Sequence, residues 1–403
     1  MSQTSTETRT ADEQRVRDAL DRLLSEHPPA DTDRVEFWGA QFDLGLAWVQ
    51  FPEGKGGLGV SPRFQTTVNR AILDAGGTVD NRRMNVLGIG MGAGTLMAHG
   101  TEEMQDRWLR PMFTTEEIWC QMFSEPGAGS DLAGLSTSAV KEGDTWVVNG
   151  QKVWTTLGHL AKWGMLVTRT DPDLPKHAGL TYFIVDMETD GVEVRPLYQI
   201  TGEAEFNEVY FDDAHIPDSY RLGEVGQGWT VAMTTLMNER VAIGGNAIPR
   251  GEGAIAHAVR AWEESGSHDP VHRDELTRLW IEHEAMRLTQ VRANDMRKKG
   301  TPGPEGSTGK LQWADLNKEI TAFTMELLGP DGMLYPGGYE KIRPDVTSNQ
   351  TESPHKAYLR ARANSIEGGT SEIMKNILGE RVLGLPGEPR VDKNVPWKDV
   401  PRS

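Results

Sequence analysis

The 403-residue chain has little cysteine, few basic residues for its acidic ones and no long hydrophobic run. Its single cysteine, Cys120, excludes an intramolecular disulfide and fits a reducing compartment. The 59 acidic and 42 basic side chains give a net charge of -17, which argues against nucleic acid or an anionic membrane as the main partner. No run is long enough to span a bilayer, and the start lacks a signal-peptide pattern, so we expect a cytoplasmic protein.

Motifs of several other chemistries are also missing. The sequence has no His-Glu-x-x-His, no paired cysteines and no tight histidine cluster, so we expect no metal site. Neither a Gly-x-Ser-x-Gly elbow nor a Walker lysine motif occurs. Gly88, Gly90 and Ala93 satisfy the loose dinucleotide pattern, but the preceding residues do not predict a strand and the expected acidic residue downstream is missing. We therefore expect these small residues on a packed helix.

Hydrophobic periodicity divides the chain into three regions, in agreement with a length that suits two or three domains. Helical spacing before residue 118 predicts helices at 11–27, 37–42 and 101–109. Short runs rich in valine, threonine and aromatic residues then predict strands at 135–140, 145–148, 164–169, 181–186, 192–196 and 208–212. From residue 226, helical spacing predicts helices at 229–259, 273–299, 313–328 and 357–383, with 299–309 as an exposed connection.

The most informative run is CQMFSEPGAGSD at residues 120–131, followed by GQKVWTT at 150–156. Apolar residues lead into a Pro/Gly turn, and its backbone N–H groups beside Ser124 and Ser130 suit a phosphate-bearing or carbonyl ligand. Such a turn by itself is usually only a turn. Two further motifs lie far away: a Trp, Pro and Gly-Gly-Leu-Gly pattern at 46–59, and IEGGTSEI at 366–373.

Taken in their order along the chain, the three motifs resemble those of the acyl-CoA dehydrogenase family. The resemblance covers essentially the whole chain. It implies an α+β multidomain fold with an N-terminal α-helical domain (1–118), a central β-barrel-like domain (119–225) and a C-terminal α-helical bundle (226–403). It also implies FAD-dependent α,β-dehydrogenation of an acyl-CoA thioester to a trans-2-enoyl-CoA, with electrons passed to an electron-transfer flavoprotein.

The resemblance assigns roles to the matching residues of the central motif. Phe123, Ser124, Trp154 and Thr156 match positions that touch the flavin ring. Ser130 matches a position near the pantetheine or phosphates of the thioester. Taken singly, each of these residues is more often ordinary core or a turn cap.

The catalytic base departs from the commonest family pattern. Many members carry Glu-Gly-Thr in the C-terminal motif, whereas residues 368–370 read Gly-Gly-Thr, and glycine cannot accept a proton. A second family solution places the glutamate on a helix just before an arginine, which here is Glu239 before Arg240. We predict Glu239 as the base, Arg240 in substrate binding and the Gly368 N–H, with a flavin ribityl hydroxyl, as donors to the thioester carbonyl. Glu367 is the reserve base.

The side of the FAD site that faces a partner subunit also departs from the family pattern. Members often show Arg-x-x-Phe-Gly on the helix after the base helix, with the arginine on a neighbouring subunit's FAD. This motif is missing, and we predict that Arg273 replaces it, with 328–332 as the loop near the adenine. The resemblance implies a homo-oligomer, dimer or tetramer, or a heterotetramer with a related chain. The alternatives are a non-catalytic or half-site subunit of a heteromer, or a flavin oxidase. We expect a bulky or branched acyl group.

Overall fold

A computed structural model describes residues 3–243, 248–298, 305–336, 338, 340–345, 353–390 and 392–401. Side chains are described over the same ranges except at 3–9, 239–243, 297–298 and 305–306. The elements follow the predicted order of helices, then strands, then helices. Among the described helices, none has the length and apolar character needed to cross a membrane.

The N-terminal region is helical. Its helices are α1 (Gln3–Glu26), α2 (Arg34–Asp43), α3 (Phe64–Asp74), α4 (Asn81–Met84), α5 (Ala93–His99) and α6 (Glu102–Thr114). Thr101 caps the N-terminus of α6, because its hydroxyl accepts a hydrogen bond from the Met104 N–H at 3.3 Å.

The small residues near position 90 form a π-helical turn at Gly88–Gly92, between α4 and α5. The residues before it are helical, so the Rossmann arrangement of a strand followed by a glycine turn is absent here. The turn and α5 pack against α7 (Gly228–Ile243). A Cβ on Gly94 would come within 2.6 Å of the Asn238 amide, which confirms that small residues permit a close helix approach.

The middle region is a mixed sheet that contains all six predicted strands. Its strands are β1 (Trp119–Met122), β2 (Ser138–Glu142), β3 (Thr145–Lys152), β4 (Trp163–Arg169), β5 (Leu180–Asp186), β6 (Val192–Leu197), β7 (Phe206–Pro217) and β8 (Arg221–Leu222). The strand order is β6-β7-β3-β2-β4-β5-β8, with β1 parallel to β4. Antiparallel pairs dominate the rest of the sheet.

Strands β4 and β5 are buried on both faces, which explains their continuous apolar sequence. Met165 and Ile184 point into a core shared with the N-terminal helices and α7. Leu166 and Phe183, the neighbours of these residues in each strand, belong to a second core made up of residues from the β region. The sheet therefore places α7, with its predicted base, directly against β4 and β5.

The C-terminal region contains α7 and five further helices among its described residues. They are α8 (Ala254–Ser265), α9 (Pro270–Lys298), α10 (Glu305–Leu327), α11 (Pro354–Ala361) and α12 (Ser371–Ile377). Helix α10 packs against α8, α9, α11 and α12. The bundle core consists of Ile255, Ala258, Leu279, Met286, Leu316, Ile320 and Phe323.

Two predicted helices and one predicted connection in this region need correction. The helix predicted at 229–259 is interrupted, because Gly251 and Gly253 have φ of +77° and +79°, which an α-helix cannot accommodate. The helix predicted at 357–383 is broken for the same reason at Gly368 and Gly369, with φ of +61° and +91°. In the predicted connection 299–309, residues 299–304 lie outside the described part, while the remainder belongs to α10.

Candidate active site

The first wall of the candidate site is the segment that follows β1. Phe123 is buried and packs edge-on against Tyr182 of β5, with ring centroids 5.8 Å apart. The Ser124 carbonyl accepts a hydrogen bond from the Val153 N–H at 2.9 Å, so the two motif segments of the sheet lie side by side. The structure therefore brings Phe123 and Ser124 next to the segment that carries Trp154.

Trp154 has an unusual backbone and an unusual exposure. Its φ is +61°, a left-handed value that costs free energy in a residue other than glycine. Its indole is 56% exposed and touches Phe206 edge-to-face at 5.6 Å. The next residue fixes this conformation, because Thr155 and Asn207 exchange two backbone hydrogen bonds of 3.0 Å and the Asn207 amide also donates to the Thr155 carbonyl. Thr156 follows, half-buried.

Two buried hydroxyls beside the motifs lack a hydrogen-bond partner within the described structure. They are Thr155 Oγ1, next to Trp154, and Ser371 Oγ, inside the C-terminal motif. Buried polar atoms normally form hydrogen bonds, so each of these two hydroxyls has the capacity to bond to a polar group of a bound molecule. An exposed indole face with polar atoms nearby fits a planar ring with polar edges, which is the chemistry of a flavin.

A buried ion pair that the sequence analysis missed holds the two segments together. Lys152 Nζ lies 2.8 Å from Glu125 Oε1, with side-chain exposures of 0% and 4%. The ammonium also donates to the Phe123 carbonyl at 3.1 Å. The Glu125 carboxylate accepts hydrogen bonds from the Ser136 N–H and hydroxyl and from the Thr137 N–H. The sequence signal was available, since Glu125 and Lys152 lie inside the two motifs and a lysine in a buried strand needs a partner.

The ionisation of this pair follows from its surroundings. Burial raises the pKa of the Glu125 carboxyl, but the charge of Lys152 and the hydrogen bonds outweigh burial and lower that pKa to about 2. Burial acts in the opposite direction on the ammonium and lowers the pKa of Lys152, while Glu125 opposes the shift. At neutral pH the pair is thus a charged structural contact that holds the two motif segments together. It is not a proton donor or acceptor.

Hydroxyl groups connect the helix of the predicted base to the same wall. The Tyr182 hydroxyl lies 3.2 Å from Thr235 Oγ1, and Thr95 Oγ1 donates to Thr235 Oγ1 at 3.1 Å. Thr235 is on α7, one helical turn before Glu239. The side chains of Glu239 and Arg240 fall outside the described residues, so their roles stay predictions.

The C-terminal motif forms a tight turn that several side chains hold. Gly368 is exposed with φ of +61°, and Lys310 Nζ donates to the Gly369 carbonyl at 2.6 Å and to the Asn364 carbonyl at 2.9 Å. The Glu367 carboxylate accepts hydrogen bonds from both terminal nitrogens of Arg360, at 3.1 and 2.7 Å, and from the Asn364 amide at 2.8 Å. These partners occupy the reserve base, Glu367.

Two predicted binding residues lie at the surface. Ser130 is exposed in the turn after Ser124, and its neighbour Asp131 pairs with Lys176 at 2.9 Å. Arg273 is exposed in the first turn of α9, a helix that packs against α8 and α10. No described hydrogen bond or ion pair joins the Arg273 side chain to the first wall of the site. The described residues also contain no cluster of His, Cys, Asp or Glu that could hold a metal ion.

Family comparisons agree with this architecture. Profiles described as acyl-CoA dehydrogenase N-terminal, middle and C-terminal domains match residues 6–116, 120–214 and 226–383. The chain belongs to the acyl-CoA dehydrogenase family. It is an oxidoreductase that acts on acyl-CoA and, as a member of this family, uses a flavin cofactor.

Individual proteins extend the comparison. Acyl-CoA dehydrogenase IpdE1 of Mycobacterium tuberculosis is 39% identical over 347 residues, which cover 85% of this chain and 86% of that protein. Among solved structures, the Tcur3481-Tcur3483 steroid ACAD has a TM-score of 0.69 at 24% identity and covers 94% of this chain and 98% of its own. A glutaryl-CoA dehydrogenase from Mycobacterium smegmatis in complex with FADH2 has a TM-score of 0.66 at 18% identity, covering 94% and 96%. Both structures share the fold.

Proposed function

We propose that this chain is a catalytically complete acyl-CoA dehydrogenase that binds FAD and converts an acyl-CoA to its trans-2-enoyl-CoA. The observation that carries the proposal is the exposed, strained Trp154 beside Ser124, held in place by Asn207. FAD supplies the acceptor for the hydride that leaves the β carbon. Phe123, Ser124, Trp154 and Thr156 would hold its ring.

The residues of the chain divide the remaining work. Glu239 takes the α proton as a carboxylate, and the electrons of the broken Cα–H bond form the new double bond as the β hydride leaves. The Gly368 N–H, exposed at the C-terminal turn, stabilises the negative charge that develops on the thioester oxygen. Glu367 is a poor candidate for the base because Arg360 and Asn364 already bind both of its oxygens.

The proposal extends to the substrate and partners. Ser130, exposed at the turn, contacts the pantetheine or phosphates, and Arg240 contributes to substrate binding. A base carried on a helix suits a bulky or branched acyl group, and the structural likeness to a steroid ACAD fits that choice. An electron-transfer flavoprotein accepts the electrons, and the chain acts as an oligomer in the cytoplasm.

The visible spectrum of the purified protein tests this function directly. We expect a yellow protein whose flavin absorbance bleaches when acyl-CoA is added without oxygen, faster with branched or ring-bearing acyl groups than with butyryl-CoA. A protein that holds flavin but is not bleached by any thioester contradicts the proposal. Rapid reoxidation by air after bleaching would identify an oxidase instead.

A second candidate is a half-site subunit that completes a partner's FAD site. The missing Arg-x-x-Phe-Gly motif and the surface position of Arg273 favour it. The likeness to Tcur3481-Tcur3483, whose name joins two chains, adds support. This candidate predicts a colourless chain that gains flavin only when a related second chain is co-purified.

A further inference from the structure

We propose that Arg360 is a positioning residue that couples the turn at Gly368 to the loop at Trp154. Its guanidinium bridges the C-terminal motif and the sheet, so the thioester side and the flavin side of the site share one geometry. The inference rests on the proposed function, because it depends on the roles proposed there for Gly368 and Trp154. Arg360 itself lies outside all of the motifs.

The first half of the bridge is the contact with the C-terminal turn. Arg360 Nη1 and Nη2 donate to the two oxygens of Glu367 at 3.1 and 2.7 Å, a parallel two-point contact. Such a fork fixes direction as well as distance, which a single charge contact does not. Glu367 directly precedes Gly368, whose left-handed φ of +61° must be maintained for its N–H to keep one direction.

The second half of the bridge is the contact with the sheet. Arg360 Nε lies 3.3 Å from Glu205 Oε1, and its guanidinium lies 5.7 Å from the Phe206 ring centroid. Phe206 in turn packs edge-on against the indole of Trp154 at 5.6 Å. The Glu205 carbonyl also accepts the Leu157 N–H at 2.9 Å. A displaced Arg360 therefore disturbs both ends of the Trp154 loop.

Charge balance explains why an arginine is needed at this point. Arg360 lies between the Glu205 and Glu367 carboxylates, whose side chains are only 32% and 35% exposed. Burial raises the pKa of Glu205, and the charge of Arg360 counteracts the shift. Without the guanidinium, two partly buried carboxylates would face each other and the turn at Gly368 would lose its anchor.

The experiment compares Arg360→Gln with Arg362→Gln in the full-length, flavin-loaded protein. Arg362, two residues later, lies over the Tyr358 ring and donates to the Lys318 carbonyl, away from the site. We expect Arg360→Gln to keep its flavin but to bleach about 10- to 100-fold more slowly at saturating acyl-CoA, with half-saturation changed less than about threefold. Arg362→Gln should match the wild type. Arg360→Lys, which keeps the charge but loses the fork, should recover part of the rate.

Hydrogen exchange supplies a readout independent of activity. In the full-length protein as purified, Arg360→Gln should accelerate amide exchange in peptides covering 364–370 and 154–158, and Arg362→Gln should not. A double Arg360→Gln/Glu367→Gln variant should be no slower than the single Arg360 variant, because both substitutions break the same contact between Arg360 and Glu367.

The outcomes separate this inference from the proposed function. Failure of the wild type itself to bleach contradicts the function. With a working wild type, the inference is overturned if Arg360→Gln bleaches at the normal rate, if Arg362→Gln loses as much, or if exchange rises at only one of the two segments.

Discussion

The two halves of the active site are built in different ways. The first wall of the candidate site is locked by Glu125 and Lys152, whose side chains are 4% and 0% exposed, beside a hydrogen-bonded sheet. The C-terminal turn is held by Arg360 and Glu367, whose side chains are 29% and 35% exposed, next to Gly368 with its φ of +61°. We therefore expect substitutions in the first half to lower mainly the stability of the fold. Substitutions in the second half should lower the rate of the chemical step more than the stability.

The largest expected effect concerns the chemical step. Glu239→Gln should leave flavin binding and thermal stability unchanged and slow anaerobic bleaching about 10³-fold, since general-base catalysis contributes about 10² to 10⁴. Glu282→Gln, an exposed glutamate paired with Arg278 at 2.7 Å, is the control and should have normal kinetics. If Glu239→Gln bleached at the wild-type rate, the base would not be on α7. The proposed division of roles between the two halves of the site would then be wrong.

The next effect tests the lock itself. Lys152→Met should lower the free energy of unfolding by about 3–5 kcal/mol, because it leaves Glu125 charged and buried without its partner. Lys398→Met is the matched control: Lys398 pairs with Asp173 at 2.5 Å, but the two side chains are 53% and 68% exposed, so the loss should stay below about 1 kcal/mol. Chemical denaturation measures both. Equal losses in the two variants would show that burial does not distinguish this pair.

Acid should weaken the same lock. The folded pKa of Glu125, about 2, lies below its ordinary value of 4.5, so the folded state releases this proton more readily than the unfolded state. The stabilisation is therefore complete above about pH 5 and is lost as pH falls towards 2, with a slope of up to about 1.4 kcal/mol per pH unit. Glu125→Gln, although less stable throughout, should show a shallower loss between pH 4.5 and 3. Parallel curves for the two proteins would contradict the assignment.

Sequence patterns predicted the order of regions and the strands well, because alternating and helical periodicities report burial directly. They failed where the backbone leaves ordinary conformations. The break after α7 and the turn at Gly368 depend on glycines with positive φ, and an apolar repeat does not reveal these.

Within the candidate site, the motifs named candidate residues but not the side chains that hold them in place. A lysine in a buried strand signals that Lys152 needs a partner, but only the placement of β3 beside the segment after β1 shows that this partner is Glu125. The same holds for Arg360, which reaches both Glu367 and Glu205. Long-range polar contacts of this kind leave no periodic signal in a single sequence.

The smallest effect concerns backbone strain at Trp154, where the first wall of the candidate site gives up some folding stability to hold the indole in place. Trp154→Gly and Trp154→Ala both remove the indole and its contact with Phe206, so both should bind flavin about tenfold more weakly. They differ in backbone, because φ of +61° is unstrained only for glycine. The glycine variant should therefore unfold at higher denaturant than the alanine variant, by about 1 kcal/mol in free energy. Equal stabilities of the two variants would mean that the backbone at residue 154 is not strained. The first wall of the candidate site would then be held no more rigidly than the C-terminal turn.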